Sequence, residues 1–463
     1  MSGLYSVSDL EYWDKRIQEK VREFGLDCFP QQFEVCDHNQ MLSNMAYSGI
    51  PSHYPHWSYG KTYEKQKTLY DYGVAGLPYE MVINSNPTLA YLMRDNSLLL
   101  QILTIAHVYG HNDFFKNNFT FRSTRAEYTI DTFKAHGDRV RQYIEDPSIG
   151  LESVEKLIDA AHAVSLECRR NLAIRKRTPE EEKDVIIESS APPPDPFQSI
   201  HRRKPTPQLN LSKVPLVPDD DLLLFIRDHN PNLSGWEKDI LTIVHEEAQY
   251  FIPQIETKIM NEGWATYWHK KILDSLELPE DLHLEFIVRH NQVVRPFSNG
   301  INPYHIGLVI WEDIHRRNNT PGYEKLFEIR EADRDTSFLR RHLTEELVRE
   351  LNLFEYETKG DQKIVTNVAD KEGWLQVKEA LLKNVGMNTV PVIKVEDGDF
   401  GHNHTLYLIH YHDGRDLQLE YAEKTLAYLS ELWHGEVVLE TALDGKRYML
   451  IYNDGGFSTK ALR

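Results

Sequence analysis

Along most of this chain apolar residues recur every three to four positions, and toward its end they begin to alternate. Leu10, Trp13, Ile17, Val21 and Phe24 follow helical spacing, which predicts an amphipathic helix over 9–24, with Ser8 and Glu11 as a capping box. The run Leu98 to Val108 is broken before His107 only by Gln101 and Thr104, and a helix apolar on nearly every side is buried. Asp95, Asn96 or Ser97 can cap it. Further helices are predicted near 127–145 and 151–177. From Leu222 the pattern resumes, and Trp236, Ile240, Ile243 and Val244 lead into a helix that Pro253 is expected to interrupt, because its ring clashes with the carbonyl four residues back. Helices then follow over Glu262 to Leu273 and near 280–290, 303–316 and 338–351.

Past Phe354 the period falls to two. Strands are predicted over Gln362–Val368, Val390–Glu396, His404–His412, Glu436–Ala442 and Lys446–Tyr452, with helices at 370–384 and 418–433 between them. Asp397-Gly398 and Asp444-Gly445 are hairpin signals. The fold class is therefore mainly α: a helical core domain over 1–352 and a small α+β domain over 353–463. Two stretches lack either period. Gln31 to Gly76 is aromatic and rich in Gly and Pro, and reads as a packed surface loop, or, at Pro51 to Trp57, as the roof of a pocket. Thr178 to Asp221 holds nine of the 22 prolines and reads as an extended linker or surface excursion within the helical domain.

With 463 residues and a formal charge of −19, the chain is long enough for a large core and lacks the basic face that nucleic acid or an anionic membrane requires. Its longest apolar run is too short to span a bilayer, so no membrane insertion is expected. Three cysteines without a CxxC pair fit a reducing compartment, and the N-terminus shows no signal peptide, so the expected location is the cytoplasm.

His107 and His111 lie four apart at the end of the buried run, so both imidazoles face one way and can hold one metal ion. The bland alternative is a structural pair. Glu262 and His269 lie two turns apart and offer a carboxylate and a further imidazole, with Gly263 allowing close approach of another backbone. His245-Glu246 begins like HExxH, yet the fifth position is Gln249. His404, His410 and His412 share a strand face with Leu406 and Leu408, which reads as a partly covered sheet surface. No P-loop, GxGxxG or GxSxG is present.

His107-Val108-Tyr109-Gly110-His111-Asn112-Asp113-Phe114-Phe115-Lys116 resembles a hallmark of the stage V sporulation protein R (SpoVR-like) family. So do Ala248 to Gln254 and Met260-Asn261-Glu262-Gly263-Trp264-Ala265-Thr266-Tyr267-Trp268-His269, and the similarity spans nearly the whole chain. The resemblance implies a role in spore cortex formation and leaves the reaction open. Glu262 to Tyr267 also looks like the helix that gives the third ligand in some gluzincin-type metallopeptidases, where the ligand is the glutamate. The residue between the two histidines is here Val108, where a catalytic glutamate would stand. The leading expectation is a metal-dependent hydrolase acting on a peptide or peptidoglycan precursor. Zinc, or else iron or manganese, would be bound by His107, His111 and Glu262, with His269 as fourth ligand or supporting partner, and Glu246 or Glu247 would be the base. The rival is a non-catalytic sporulation factor that binds a protein partner and in which the same cluster is structural.

Overall fold

The computed structural model describes residues 5–72, 78, 80–170, 175–190, 213–297, 300–318, 322–359, 362–368, 370 and 373–462. From the N-terminus run α1 (Val7–Glu23), β1 (Gln31–Cys36), α2 (His38–Ala46), α3 (Trp57–Asp71), β2 (Glu80–Ile83), β3 (Thr88–Met93), α4 (Leu98–Asn117), α5 (Thr129–Glu145), α6 (Gly150–Ala163), α7 (Pro179–Ser190), α8 (Leu222–His229) and α9 (Gly235–Glu256). There follow α10 (Lys258–Ser275), α11 (Glu280–Val293), α12 (Pro303–Arg317), α13 (Glu324–Ala332), α14 (Asp335–His342), α15 (Glu345–Glu350), β4 (Phe354–Lys359), β5 (Gln362–Val368) and α16 (Trp374–Lys383). The chain closes with β6 (Ile393–Phe400), β7 (Thr405–His410), α17 (Leu419–Trp433), β8 (Val437–Leu443), β9 (Lys446–Asn453) and β10 (Gly456–Ala461). The protein is mainly helical with a small C-terminal sheet, as its periodicity predicts.

Packing divides the chain into two units, each discontinuous in sequence: residues 1–142 with 249–389, and 143–248 with 390–463. The sequence reading placed a single boundary near 352. In the first unit, α10 lies between α4 and α12 at the heart of the core, with Trp264, Trp268 and Trp311 fully buried. Each such aromatic takes about 150–250 Å² out of water. Glycine sets the helix spacing. A Cβ on Gly110 would sit 2.6 Å from Ala265 Cα, and one on Gly263 would sit 2.3 Å from Gly307 Cα. A buried ion pair, Arg330 Nη1 to Asp113 Oδ1 at 3.0 Å, and the Trp264 indole N–H donating to Asp113 Oδ2 at 2.9 Å, tie α13 and α10 to α4. On one side of this core a three-stranded sheet runs β1-β3-β2, with β1 and β3 parallel and β2 antiparallel to β3.

The second unit holds the sheet β10-β9-β8-β7-β6. Strands β7 and β8 are parallel and joined through α17, whose Trp433 stacks on Phe225 of α8.

Several local expectations are corrected. The cap of α1 is Ser6 with Asp9 rather than Ser8 with Glu11, and Ser97 is the residue that caps α4. Gln31 to Gly76 is not a loop: it carries β1, α2 and α3, started by Asp37 with Gln40 and by His56, while 73–76 lie outside the described residues. The helix expected over 151–177 stops at Ala163. Within the proline-rich stretch Pro179 to Ser190 is helix, its one proline standing in the first turn where no N–H is needed, and 191–212 lie outside the described residues. Pro253 does not end α9, which continues to Glu256. The proline sacrifices one hydrogen bond near the helix end, and burial of Tyr250 and Ile252 just before it offsets the loss. The helix expected over 338–351 is two, α14 and α15, and β2, β3, α13, β4 and β10 were not anticipated. Asp444 and Gly445, both at positive φ, make the β8–β9 turn, but Asp397-Gly398 lies inside β6 at a bulge.

Candidate metal centre

Helix α4 places the first two side chains. Its apolar surround buries residues 99 and 101–115, so His107 and His111 point inward from adjacent turns, ring centroids 4.7 Å apart. Helix α10 brings Glu262 opposite them, and Gly110, against Ala265 of α10, lets it come that close. The N-terminus of α10 is held by the Asp335 carboxylate, which accepts from the backbone N–H groups of Ile259 and Met260 at 2.9 and 2.8 Å. Strand β2 adds a fourth group, Glu80.

These four side chains converge. His107 Nε2 lies 3.3 Å from Glu80 Oε1 and 3.7 Å from Glu262 Oε2, and His111 Nε2 lies 3.4 Å from the same Glu262 oxygen. The donor atoms of Glu80, His107 and His111 fall within 4.8 Å of one another. Around a tetrahedral zinc, ligand atoms at about 2.0–2.2 Å from the ion stand roughly 3.3–3.6 Å apart. Two of the three separations from an imidazole to a carboxylate, 3.3 and 3.4 Å, fall in that range, and the third, 3.7 Å, lies just beyond it. Two buried carboxylate oxygens, Glu80 Oε2 and Glu262 Oε2, accept no hydrogen bond from a described residue, which is costly unless a cation or water meets them.

The outer nitrogens are consistent with this. His111 Nδ1 lies 2.9 Å from Asn261 Oδ1. An amide oxygen only accepts, so Nδ1 carries the proton and Nε2 turns its lone pair to the centre. His107 Nδ1 lies 2.9 Å from His269 Nδ1, and His269 Nε2 lies 2.9 Å from His290 Nδ1. A proton on His107 Nδ1 donates to His269 Nδ1, which then donates from Nε2 to His290. That order turns the lone pair of His107 Nε2 toward Glu80 and Glu262, where a metal would sit. Both nitrogens of His269 are thus engaged, which is the geometry of the supporting partner rather than the fourth ligand. Replacing His290 by alanine removes the end of this relay. Zinc affinity is expected to fall about 10–100-fold, with fold and stoichiometry kept. A competition titration against a zinc chelator reads this, and an unchanged affinity would remove the relay from the account.

Electrostatics separates the two carboxylates. Burial pushes Glu80 up to about 8, with Glu262 adding to the rise and His111 opposing it. Burial also pushes Glu262 up, but the His107 and His111 imidazoles outweigh it and hold that carboxyl far below its ordinary range. Burial draws His107 down to about 4, so it is neutral at pH 7. Around neutrality Glu80 keeps its proton until a cation displaces it. Metal uptake should therefore release protons below about pH 8, from Glu80 and from His111, which burial pulls down but the Glu262 carboxylate holds above its ordinary range, and apparent affinity should rise with pH until it levels off there. Calorimetry between pH 6 and 9 in buffers of different ionisation enthalpy measures this; uptake without proton release would place Glu80 outside the site.

Beside this group opens a cleft of 380 Å³, lined from β2, α4, α9, α10 and α12. Glu246 and Glu247 do not line it. They stand on the part of α9 that belongs to the second unit, whereas every lining residue belongs to the first. His245 Nε2 is paired with Asp221 Oδ2 at 2.9 Å. His410 bonds Thr441 and His412 bonds Asp416, both in the C-terminal sheet domain. Glu80, Asn261 and His290 had no assigned part in the sequence reading. Asn261 lies inside a quoted motif, but Glu80 sits in a short strand with no spacing relation to the histidines.

Fold and site together define a predominantly helical protein with a buried histidine–glutamate group suited to a metal ion. The chain belongs to the SpoVR family: the family described as "SpoVR like protein" matches residues 5–390, and "SpoVR-like C-terminal domain" matches 391–444. It is 31% identical over 469 residues to "Uncharacterized protein YcgB" of Escherichia coli (strain K12), a match covering 93% of this chain and 91% of that protein. No solved structure matches it significantly. The family suggests a sporulation-related role. Among the described residues, no helix is long and apolar enough to cross a membrane.

Proposed function

We propose that this chain is a metal-dependent hydrolase acting during spore cortex formation on a peptide or peptidoglycan precursor. The observation that carries the reading is the convergence of His107 and His111 with Glu80 and Glu262, at 3.3–3.7 Å between imidazole and carboxylate, beside an open cleft. His107, His111 and Glu262 hold the ion, and His269 and His290 orient His107. A divalent ion held there supplies Lewis acidity, polarising a carbonyl and making water a nucleophile at neutral pH. Glu80 takes the role first given to Glu246 or Glu247. Once ionised, its carboxylate lines the cleft where it can accept a proton from water and return it to a leaving amine.

A second reading is favoured by one observation, that Glu80 completes four donors. A closed four-ligand site is structural. The variant Glu80→Gln separates the two. With a catalytic Glu80, the variant keeps about one metal per chain and loses turnover by about 10²–10⁴-fold, the span of general acid–base catalysis. With a structural Glu80, it loses metal and stability together. Turnover is read as amine released from peptides and from peptidoglycan precursor peptides by the zinc-, iron- or manganese-loaded chain. No release from any of them by well-loaded protein would leave the non-catalytic factor as the account.

A further inference from the structure

Strand β2 ends the sheet β1-β3-β2, so one of its two edges is paired with β3 and the other is not, among the described residues. Successive side chains on a strand point to opposite faces. Yet Glu80, Met81 and Val82, three successive residues, all line the cleft. A cleft that meets both faces at once runs along the strand's edge. On that edge alternate residues turn their backbone N–H and C=O outward. Beyond the pairing with β3, no backbone hydrogen bond to a described residue occupies Glu80, Met81 or Val82.

We infer that this edge is a docking strand for an extended polypeptide segment, which adds to the sheet as an antiparallel or parallel neighbour of β2. The inference rests on the hydrolase reading above and names the class of ligand for that site. An added strand lies about 4.8 Å from its neighbour. A segment beside β2 therefore passes next to Glu80 and the histidine pair with its backbone held in fixed register. A peptide carbonyl is then delivered to the centre by main-chain bonds that do not depend on sequence. The walls give the preference. Met81, Val82, Phe115, Phe251 and Ile255 offer apolar surface for its side chains. Lys258 is the only lysine or arginine among the lining residues, is exposed, and forms no ion pair with a described residue. It suits a carboxylate on the segment, so the ligand is an extended apolar peptide carrying an acidic group or a free C-terminus.

The probe is an equimolar set of fluorescein-labelled hexapeptides of Leu, Phe, Val and Ala with free carboxylates, read by fluorescence anisotropy. It is titrated into the full chain, both zinc-loaded and chelator-treated. Two matched sets are N-methylated at alternate amides, one in each register, which removes half of the strand donors while keeping the side chains. Binding is expected to weaken at least tenfold on N-methylation in one of the two registers, and severalfold when the carboxylate is amidated or Lys258 is replaced in Lys258→Gln. Equal binding of the parent and both N-methyl sets would overturn edge pairing. So would no binding by protein shown to be zinc-loaded. Edge binding by a chain that takes up no metal even when zinc is supplied would sink the hydrolase reading and leave the docking strand standing.

Discussion

Replacing Gly263 by alanine is expected to destabilise the first unit by about 3 kcal/mol or more, the upper range for overpacking a core. The new Cβ would meet Gly307 Cα at 2.3 Å and Gly307 C at 2.4 Å, distances no side-chain rotation relieves because both partners are backbone. Helices α10 and α12 must separate, and α10 carries Glu262 one residue away. The variant should therefore lose roughly 5–10 °C in Tm, and metal affinity with it. Gly60 is the control. It stands within α3 with nothing within 4 Å of its would-be Cβ, so Gly60→Ala should hold or raise stability, by up to about 1 kcal/mol, through lower chain entropy in the unfolded state. Thermal unfolding followed by circular dichroism compares the two. Equal, small effects would mean that the helix contact at Gly263 and Gly307 does not set the core.

The second large effect is at Glu262 itself. Its carboxylate faces both histidines and stays ionised despite burial, so it brings the negative charge that an ion at this point needs. Glu262→Gln keeps the shape and removes the charge. Zinc affinity should fall by more than about 100-fold, beyond what losing an outer partner such as His290 costs. Ligand linkage gives a second readout. Zinc at a thousand times its Kd stabilises the parent chain by about 4 kcal/mol. The same addition should leave the variant's Tm unmoved. A variant that still gains stability from zinc would place the ion elsewhere.

How much of this was legible in the chain follows from what each residue's position depends on. His107, His111, Glu262 and His269 could be found because helical periodicity sets which side chains share a face, and all four lie on two strongly patterned helices. Gly263 was readable as a point of close approach, and its partner turned out to be Gly307. Glu80 was not readable. It joins the site through strand pairing of β2 with β3, a contact between segments that no local spacing encodes. Its chemistry also looks ordinary in sequence, one acid before a short apolar run. The base was sought at Glu246 and Glu247 because HExxH is a local pattern, while the structure places those residues in the other unit. The aromatic stretch after Gln31 misled for the opposite reason. Its Gly and Pro residues are conspicuous, but the caps at Asp37 and His56 that start α2 and α3 are single polar side chains. Pro253 shows that local propensity yields to burial when the lost bond lies near a helix end. The C-terminal sheet, where alternation is strong and Asp444-Gly445 marks a turn, was read almost strand for strand, and only the final edge strand β10, largely exposed, escaped.

The central claim is that His107, His111 and Glu262 bind one metal ion. Elemental analysis of the purified full chain, beside His107→Ala and Glu262→Ala variants whose folding is checked by circular dichroism, tests it most directly. The account predicts about one zinc, iron or manganese per chain in the parent and none in either folded variant. Parent protein that carries no metal, even after incubation with each of the three ions, would contradict it.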